Sequence, residues 1–242
     1  MPTFQHGDAT IYYEEQGSGF PVLLIAPGGM RSAVSFWRHA PWDPIEHLSS
    51  RYRVIAMDQR NAGQSTAPVR SSDGWATFTG DQLALLDHLG VDRFHVAGMC
   101  IGGSYIAALA HAAPERVASG VVFQTIGLDG NRNAFYDMFD SWANELAGSH
   151  PEVDDTGWKE FRESMYGGDD YLFSVPDAWV PECRTPLLVL LGNDMYHPES
   201  SSRRLAAEAP NATLVERWKD PEDHPAARAA VERFLAANTP GS

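Results

Sequence analysis

The sequence has little cysteine and little positive charge. Only Cys100 and Cys183 occur among 242 residues, and two thiols cannot form the disulfide framework on which small secreted domains depend. Lysine and arginine together number 18, against 32 aspartate and glutamate residues, and the formal net charge is −14. A polyanion is repelled by nucleic acid and by anionic membrane surfaces, so we expect neither as a partner.

Long apolar runs are also missing. No stretch approaches the roughly 20 apolar residues that span a bilayer, and the first residues lack the basic start and apolar core of a secretory signal. We therefore expect a cytoplasmic protein whose thiols stay reduced. The hydrophobic content of 43% is enough for one domain with a substantial core over residues 1–242. The sequence does not indicate an oligomeric state.

Short aliphatic segments alternate with helical patterns along most of the chain. The apolar segments are nearly continuous, which is typical of parallel strands that are covered on both faces. Strands are expected at 21–26, 53–58, 94–99, 120–126, 186–192 and 212–218, with an antiparallel hairpin before them at 3–17. Helices are expected at 80–89, 102–113, 200–209 and 225–238. This alternation predicts an α/β fold with a mostly parallel sheet and helices on both faces.

Residues 129–180 interrupt the alternation. They contain helical patterns rich in aromatic residues and no strand pattern, and we interpret them as a small helical cap inserted between two core strands. Most of these aromatic side chains are expected to pack the cap onto the core. We expect Phe139 and Trp142, together with Met99 beside the cysteine, to contact a substrate beneath the cap. Residues 131–133 either start a helix or contact a polar group of the substrate.

The segment "GMCIGG", residues 98–103, places Cys100 between a predicted strand and a predicted helix. A sharp strand-to-helix turn strains the corner residue, and glycines two positions away on either side provide the room that it needs. The corner lies at a helix N-terminus, where unpaired N–H groups and the helix dipole favour negative charge. We therefore expect Cys100 to ionise readily and to act as a nucleophile, although a free cysteine can also simply pack.

Several segments resemble the α/β-hydrolase superfamily, and the resemblance runs over nearly the whole chain. "APGGMRSAVSFW" resembles the loop after its first parallel strand, "MDQRNAGQS" its Asp-x-Arg-Gly-x-Gly-x-Ser turn, and "CRTPLLVLLGNDMYHP" the strand and loop that deliver the acid. The elbow itself, with cysteine and a double glycine, is most similar to dienelactone hydrolases and polyhydroxyalkanoate synthases. The rest of the chain resembles the epoxide-hydrolase-like branch.

The resemblance implies a catalytic triad in the chain order nucleophile, acid, histidine. Carried onto this sequence, the order gives Cys100, Asp194 and His224. His224 follows the last predicted strand, but Asp223 precedes it where the family usually has glycine. His197 lies in the same loop as Asp194 and resembles a non-catalytic position of the family.

The remaining site predictions concern the oxyanion hole and metals. The resemblance implies two backbone N–H donors, from Ile101 and from Gly29, with Met30 as the neighbouring candidate. The loop departs from the family pattern at Pro27, where histidine is usual. The sequence predicts no cofactor and no metal, because the histidines and carboxylates around His224 lack the spacing of a known metal motif.

Together these features favour covalent acyl transfer on a small-molecule substrate. The preferred interpretation is hydrolysis of a small ester, lactone or thioester through a thioester acyl-enzyme. Two alternatives remain open at this point. One is an acyltransferase or cyclase that acts on a thioester, and the other is a non-catalytic ligand-binding protein on the same fold.

Overall fold

A sheet of eight strands forms the centre of the computed structural model, which describes residues 2–241. The strands are β1 (Thr3–His6), β2 (Ala9–Gln16), β3 (Pro21–Ile25), β4 (Arg53–Met57), β5 (Phe94–Cys100), β6 (Val117–Thr125), β7 (Leu187–Leu190) and β8 (Ala212–Val215). Their spatial order is β1-β2-β4-β3-β5-β6-β7-β8. β2 pairs antiparallel with both β1 and β4. The remaining strands, in the spatial order β4-β3-β5-β6-β7-β8, pair parallel with their neighbours.

Helices cover both faces of this sheet, as the sequence predicts. They are α1 (Pro44–Leu48), α2 (Trp75–His88), α3 (Ile101–Ala112), α4 (Arg132–Leu146), α5 (Asp155–Tyr166), α6 (Glu199–Glu208) and α7 (His224–Asn238). In β3, Leu23 and Ile25 pack into the core with α2 and α3, while Val22 and Leu24 pack into the core with α1 and α7. Because successive strand residues point to opposite faces, a continuous apolar strand is needed to fill both cores.

Element boundaries differ from the sequence expectation mainly in α2. The helix begins at Trp75, ahead of the predicted start at Gly80, and Gly80 lies inside it. Glycine in a helix interior is unfavourable on propensity alone, which is why the pattern suggested a boundary there. Burial of Trp75 and Phe78 against Tyr105 of α3 holds the first turns in place. Among residues 2–241, no helix has both the length and the apolar character that crossing a bilayer requires.

Two helices, α4 and α5, occupy the segment between β6 and β7. Within residues 129–180, all of which are described, no strand forms. The facing sides of the two helices interlock through aromatic rings, with centroids 5.1 Å apart for Phe139 and Phe161 and 5.7 Å apart for Trp142 and Trp158. Such edge-on ring pairs pack the two helices together and bring them over the carboxyl ends of the strands.

Candidate active site

Cys100 lies at the corner between β5 and α3 in a conformation that non-glycine residues seldom adopt, with φ 62° and ψ −118°. The neighbouring glycines explain how the corner fits. A Cβ on Gly98 would lie 2.8 Å from the backbone of Gly102, and a Cβ on Gly102 would lie 2.8 Å from the carbonyl oxygen of Ile25. The strained corner therefore depends on close backbone contacts that only glycine permits, and it presents the Cys100 side chain at the end of the sheet.

The Cys100 side chain opens into a mainly apolar pocket of about 200 Å³. This pocket, which we call the cysteine pocket, lies between the sheet edge and the α4–α5 segment. It is lined by Gly28, Gly29, Cys100, Ile101, Ile126, Phe135, Met138, Tyr166, Tyr196 and His197. Larger depressions occur elsewhere on the surface, but none of those described contains the thiol.

The imidazole at the cysteine pocket is that of His197. Its Nδ1 lies 2.7 Å and 2.8 Å from the two carboxylate oxygens of Asp194, whose Oδ1 also accepts the backbone N–H groups of Tyr196 and His197. Asp194 and His197 therefore share one tight turn after β7. The carboxylate fixes the tautomer with Nδ1 protonated, which leaves Nε2 for the thiol.

Charge interactions favour an ion pair between Cys100 and His197. Burial alone would raise the pKa of the Cys100 thiol, but hydrogen bonding and charge attraction from His197 outweigh it and hold the pKa below the ordinary value of 9.0. Burial would likewise lower the pKa of His197, but Cys100 and Asp194 raise it above the ordinary 6.5. The two shifts favour thiolate and imidazolium together.

The Nε2 atom of His197 is buried and has no hydrogen-bond partner within strict geometric limits among residues 2–241, although the Cys100 thiol is near enough for the two groups to shift each other's pKa. Catalytic hydrogen bonds are commonly long in unliganded sites and tighten when substrate binds. Asp194 completes the arrangement. Burial would raise the pKa of its carboxyl, but the hydrogen bond from His197 lowers it, so Asp194 stays ionised.

The backbone N–H groups of Gly28 and Ile101 lie close enough to the Cys100 sulfur to help lower its pKa. Both residues lie beside the thiol, where the sequence predicts an oxyanion hole, and the assignment of Ile101 and Gly29 as its donors stays a prediction. Gly29 lines the cysteine pocket, whereas Met30 is buried beneath it and its sulfur accepts the hydroxyl of Tyr166.

The assignment of the base to His224 is corrected by the structure. His224 is the first residue of α7, and its Nε2 donates to the carbonyl oxygen of Lys219 at 3.0 Å. His224 does not line the cysteine pocket, whereas His197 does. In the loop between β8 and α7, residues 216–223, Trp218 is buried with its indole N–H on the carbonyl of Leu191, and the Lys219 amine lies 3.8 Å from Asp194. The signal in the sequence that points to His197 is its position three residues after Asp194, in the same loop.

The three residues that the sequence predicts as substrate contacts do not line the cysteine pocket. Met99 packs on the opposite face of the sheet with Trp218, because its side chain alternates away from Cys100 along β5. Phe139 and Trp142 are buried within the aromatic contacts between α4 and α5 and do not line the cysteine pocket. Neighbouring residues take their place at the pocket, namely Phe135, Met138, Tyr166 and Tyr196.

The polar residues at the start of α4 have structural contacts. The side-chain amide of Asn131 donates to the carbonyl oxygens of Gly127 and Met195, which joins the beginning of α4 to the turn after β7. Arg132 donates to the carbonyl oxygens of Tyr166 and Gly168. Within residues 2–241, no group of three or more histidine, cysteine or carboxylate side chains is placed to hold a metal ion.

Comparison with known proteins agrees with this architecture. The sequence model of the family described as alpha/beta hydrolase fold matches residues 21–221. Among curated relatives, "Putative carbamate hydrolase RutD" of Azorhizobium caulinodans is 43% identical over 49% of this chain, a match that spans only 42% of the relative. Carboxylesterase YbfK of Bacillus subtilis is 26% identical over 78% of this chain and 70% of the relative.

Solved structures resemble the whole chain. A meta-cleavage product hydrolase from Pseudomonas fluorescens has a TM-score of 0.72 at 22% identity, over 99% of this chain and 98% of the other. An enol-lactonase from Burkholderia xenovorans has a TM-score of 0.71 at 20% identity, over 97% of this chain and all of the other. With a family match over most of its length and the strand order described above, this chain belongs to the α/β-hydrolase fold family.

Proposed function

We propose that this protein is a cysteine hydrolase that cleaves a small ester, lactone or thioester through a thioester acyl-enzyme on Cys100. One observation carries the proposal. A thiol at a strained strand-to-helix corner shares one pocket with an imidazole and with two backbone amides that together lower its pKa. Relatives named for hydrolysis of a carbamate, a carboxylic ester and an enol lactone all act on acyl carbonyls, which supports the same reaction class here.

The first half-reaction forms the acyl-enzyme. The Cys100 thiolate attacks the carbonyl carbon, and the charge that develops on the carbonyl oxygen is stabilised by the N–H groups of Gly28 and Ile101. One such donor contributes about 3 to 4 kcal/mol in the transition state. His197 Nε2 then gives its proton to the departing oxygen or sulfur, the bond to the leaving group breaks, and a thioester to Cys100 remains.

The second half-reaction releases the acyl group. His197, now neutral, removes a proton from water, and the hydroxide attacks the thioester carbonyl. The carbon–sulfur bond breaks, the acid leaves, and the thiolate–imidazolium pair is restored. Asp194 holds the imidazole in one orientation throughout, so that the same nitrogen acts first as acid and then as base.

Mass spectrometry of the intact protein tests the proposal. Exposure to a panel of p-nitrophenyl esters, lactones and acyl thioesters should add one acyl group to Cys100 and none to Cys183, which is buried and whose pKa is raised by that burial. Cys100→Ala should acquire no adduct and should lose turnover. Full turnover by Cys100→Ala would rule out the covalent route.

The acceptor is tested with the same acyl-enzyme. Adding an amine or a thiol in competition with water separates hydrolysis from the alternative acyl transfer. Release of free acid at nearly the same rate in the presence and absence of the added nucleophile is expected for a hydrolase. Exclusive formation of amide or thioester product would reassign the enzyme as an acyltransferase.

A further inference from the structure

We propose that the acyl group accepted by the cysteine pocket is short and uncharged and carries one hydrogen-bond acceptor, which receives the O–H of Tyr166. This inference rests on the proposed function, because it assigns the substrate class of the same site. Three observations support it independently: the size of the pocket, the lack of charged residues in its lining, and a buried tyrosine hydroxyl whose acceptor is weak.

Size limits the acyl group to a few atoms. The cysteine pocket is small, at about 200 Å³, and therefore suits a short acyl chain better than a long one. Met138 of α4 closes the pocket over the loop after β3. A Cβ built on Gly29 would lie 2.3 Å from the Met138 sulfur, so the thioether packs directly on the glycine. A longer chain would have to displace it.

Charge on the acyl group is disfavoured by the lining. Among the described residues that line the cysteine pocket there is no lysine, arginine, aspartate or glutamate. Cys100 and His197 do line it, and their pKa shifts favour opposite charges that would compensate each other. A carboxylate or ammonium on the acyl chain would lose its hydration and find no counter-ion.

Tyr166 supplies a buried donor whose partner is weak. Its side chain is completely buried, and within residues 2–241 its hydroxyl pairs with the thioether sulfur of Met30 at 3.6 Å. Stacking on Phe135 and an edge contact with Phe173 hold the ring in place, with centroid distances of 5.3 and 5.4 Å. Thioether sulfur is a poor acceptor, so a ligand oxygen in the pocket would be a better partner.

The Tyr166 hydroxyl also remains a donor. Burial, with a smaller contribution from the nearby charge of Cys100, raises the pKa of Tyr166 far above its ordinary value of 10. The proton therefore stays on the oxygen at any working pH, close to where the acyl group is attached. A buried donor that lacks a good acceptor is a specificity element, because it favours the ligand that satisfies it over an isostere that does not.

A pair of isosteric esters tests the hydrogen bond. p-Nitrophenyl methoxyacetate and p-nitrophenyl butyrate have acyl groups of equal length that differ by one ether oxygen. We expect the ratio of their kcat/KM values to fall about 10-fold in Tyr166→Phe, toward the ratio of their intrinsic reactivities. An unchanged ratio, including the case in which both esters slow equally, would overturn the role assigned to the hydroxyl.

A chain-length series tests the size limit. In the wild type, kcat/KM should drop at least 10-fold between butyrate and octanoate, and Met138→Ala should move the optimum toward hexanoate or longer. Leu146→Ala is the control, because it removes an aliphatic side chain of similar size at the C-terminal end of α4 that does not line the pocket. Octanoate turnover equal to that of butyrate in the wild type would overturn the size limit.

Binding to Cys100→Ala separates this inference from the proposed function. If no ester reacts with the wild type, covalent hydrolysis fails, and the pocket is then probed with butanamide, 2-methoxyacetamide and the monoanion succinamate by calorimetry or NMR titration. We expect 2-methoxyacetamide to bind most tightly and succinamate least, with the advantage of the ether lost in Cys100→Ala/Tyr166→Phe. Equal binding of all three compounds would overturn the substrate class.

Discussion

At the scale of single residues, the two histidines near the end of the chain have opposite surroundings. His197 is buried between Asp194 and Cys100, and His224 is tied to the carbonyl of Lys219. We expect His197→Gln to lower kcat/KM by about 10³-fold, since general acid–base groups contribute 10²- to 10⁴-fold. His224→Gln, the matched control, should stay within about threefold of the wild type. Ester hydrolysis assays on both variants measure the difference. A large loss of kcat/KM in His224→Gln with little loss in His197→Gln would restore His224 as the base.

The pH profile of kcat/KM reports the ion pair. The pKa of Cys100 lies below its ordinary 9.0 and that of His197 lies above its ordinary 6.5, so a bell-shaped profile is expected. Activity should appear as the pair forms on the acid side and disappear as the imidazolium loses its proton on the alkaline side. These limbs belong to the coupled pair and not to either residue alone.

The variant Asp194→Asn tests whether the alkaline limb of the pH profile depends on the Asp194 carboxylate. Without the carboxylate, the imidazolium is less stable, so the alkaline limb should move to lower pH while the maximum rate falls. An alkaline limb in the same place would mean that Asp194 does not raise the pKa of His197. Initial rates across the pH range in the wild type and in Asp194→Asn measure this.

The sequence predicted part of this site and missed part of it for a physical reason. Cys100 ends β5, Ile101 begins α3, and Asp194 lies in the turn after β7. Because the carboxyl ends of parallel strands share one edge of the sheet, the positions of these residues follow from local pattern. The base could not be read in this way. Whether His197 or His224 lies at the pocket depends on how the loop after β8 packs around the buried Trp218, and no local pattern shows that packing.

At the scale of elements, the turn from β5 into α3 depends on close backbone approach. In Gly102→Ala, the new Cβ would lie 2.8 Å from the backbone oxygen of Ile25, which cannot swing aside. Alanine normally stabilises a helix relative to glycine, but the clash should dominate here and lower the free energy of unfolding by about 1 to 3 kcal/mol. Urea denaturation measures the change.

Gly148→Ala is the control for this prediction. A Cβ at Gly148 would have no heavy atom of the surrounding structure within 4 Å, and its backbone does not require glycine. Its unfolding free energy should therefore stay within about 0.5 kcal/mol of the wild type. Equal losses in the two variants would mean that the contact between Gly102 and β3 carries no special cost.

Most elements could be predicted because their patterns are strong. The central strands are short and apolar on both faces, and the segment at 129–180 has no strand pattern at all. The start of α2 could not be predicted, because burial of Trp75 against Tyr105 and Tyr166 overrides the unfavourable helix propensity of Gly80. The lining of the cysteine pocket also depends on how α4 rotates against the sheet, which no local pattern fixes.

At the scale of the whole molecule, His95 links the centre of the sheet to the end of the chain. It is fully buried in β5, with Nδ1 2.8 Å from the Ser119 hydroxyl and Nε2 3.0 Å from the Thr239 hydroxyl. Burial, followed by the charge of Arg93, lowers its pKa to about 4. The folded state therefore holds His95 neutral at pH values where the unfolded chain would protonate it.

This difference predicts acid sensitivity. The stabilising contribution of neutral His95 is present above the unfolded pKa of about 6.5 and is lost as the pH falls through the folded value of about 4, by roughly 3 kcal/mol in total. The unfolding free energy of His95→Gln should depend less steeply on pH between 6.5 and 4 than that of the wild type. His111→Gln, an exposed histidine, is the control. Parallel pH dependence in all three proteins would contradict the assignment.

The turn that carries both Asp194 and His197 determines how sensitive the geometry of this pair is to changes elsewhere in the chain. In a triad whose acid and base come from separate loops, a shift of one loop misaligns the imidazole, and insertions near the C-terminus threaten function. Here three residues of backbone set the geometry between the two groups. The distance between the carboxylate and the imidazole is therefore fixed within one turn, and a shift of the loop after β8 would reach the pair through the contact of Lys219 with Asp194.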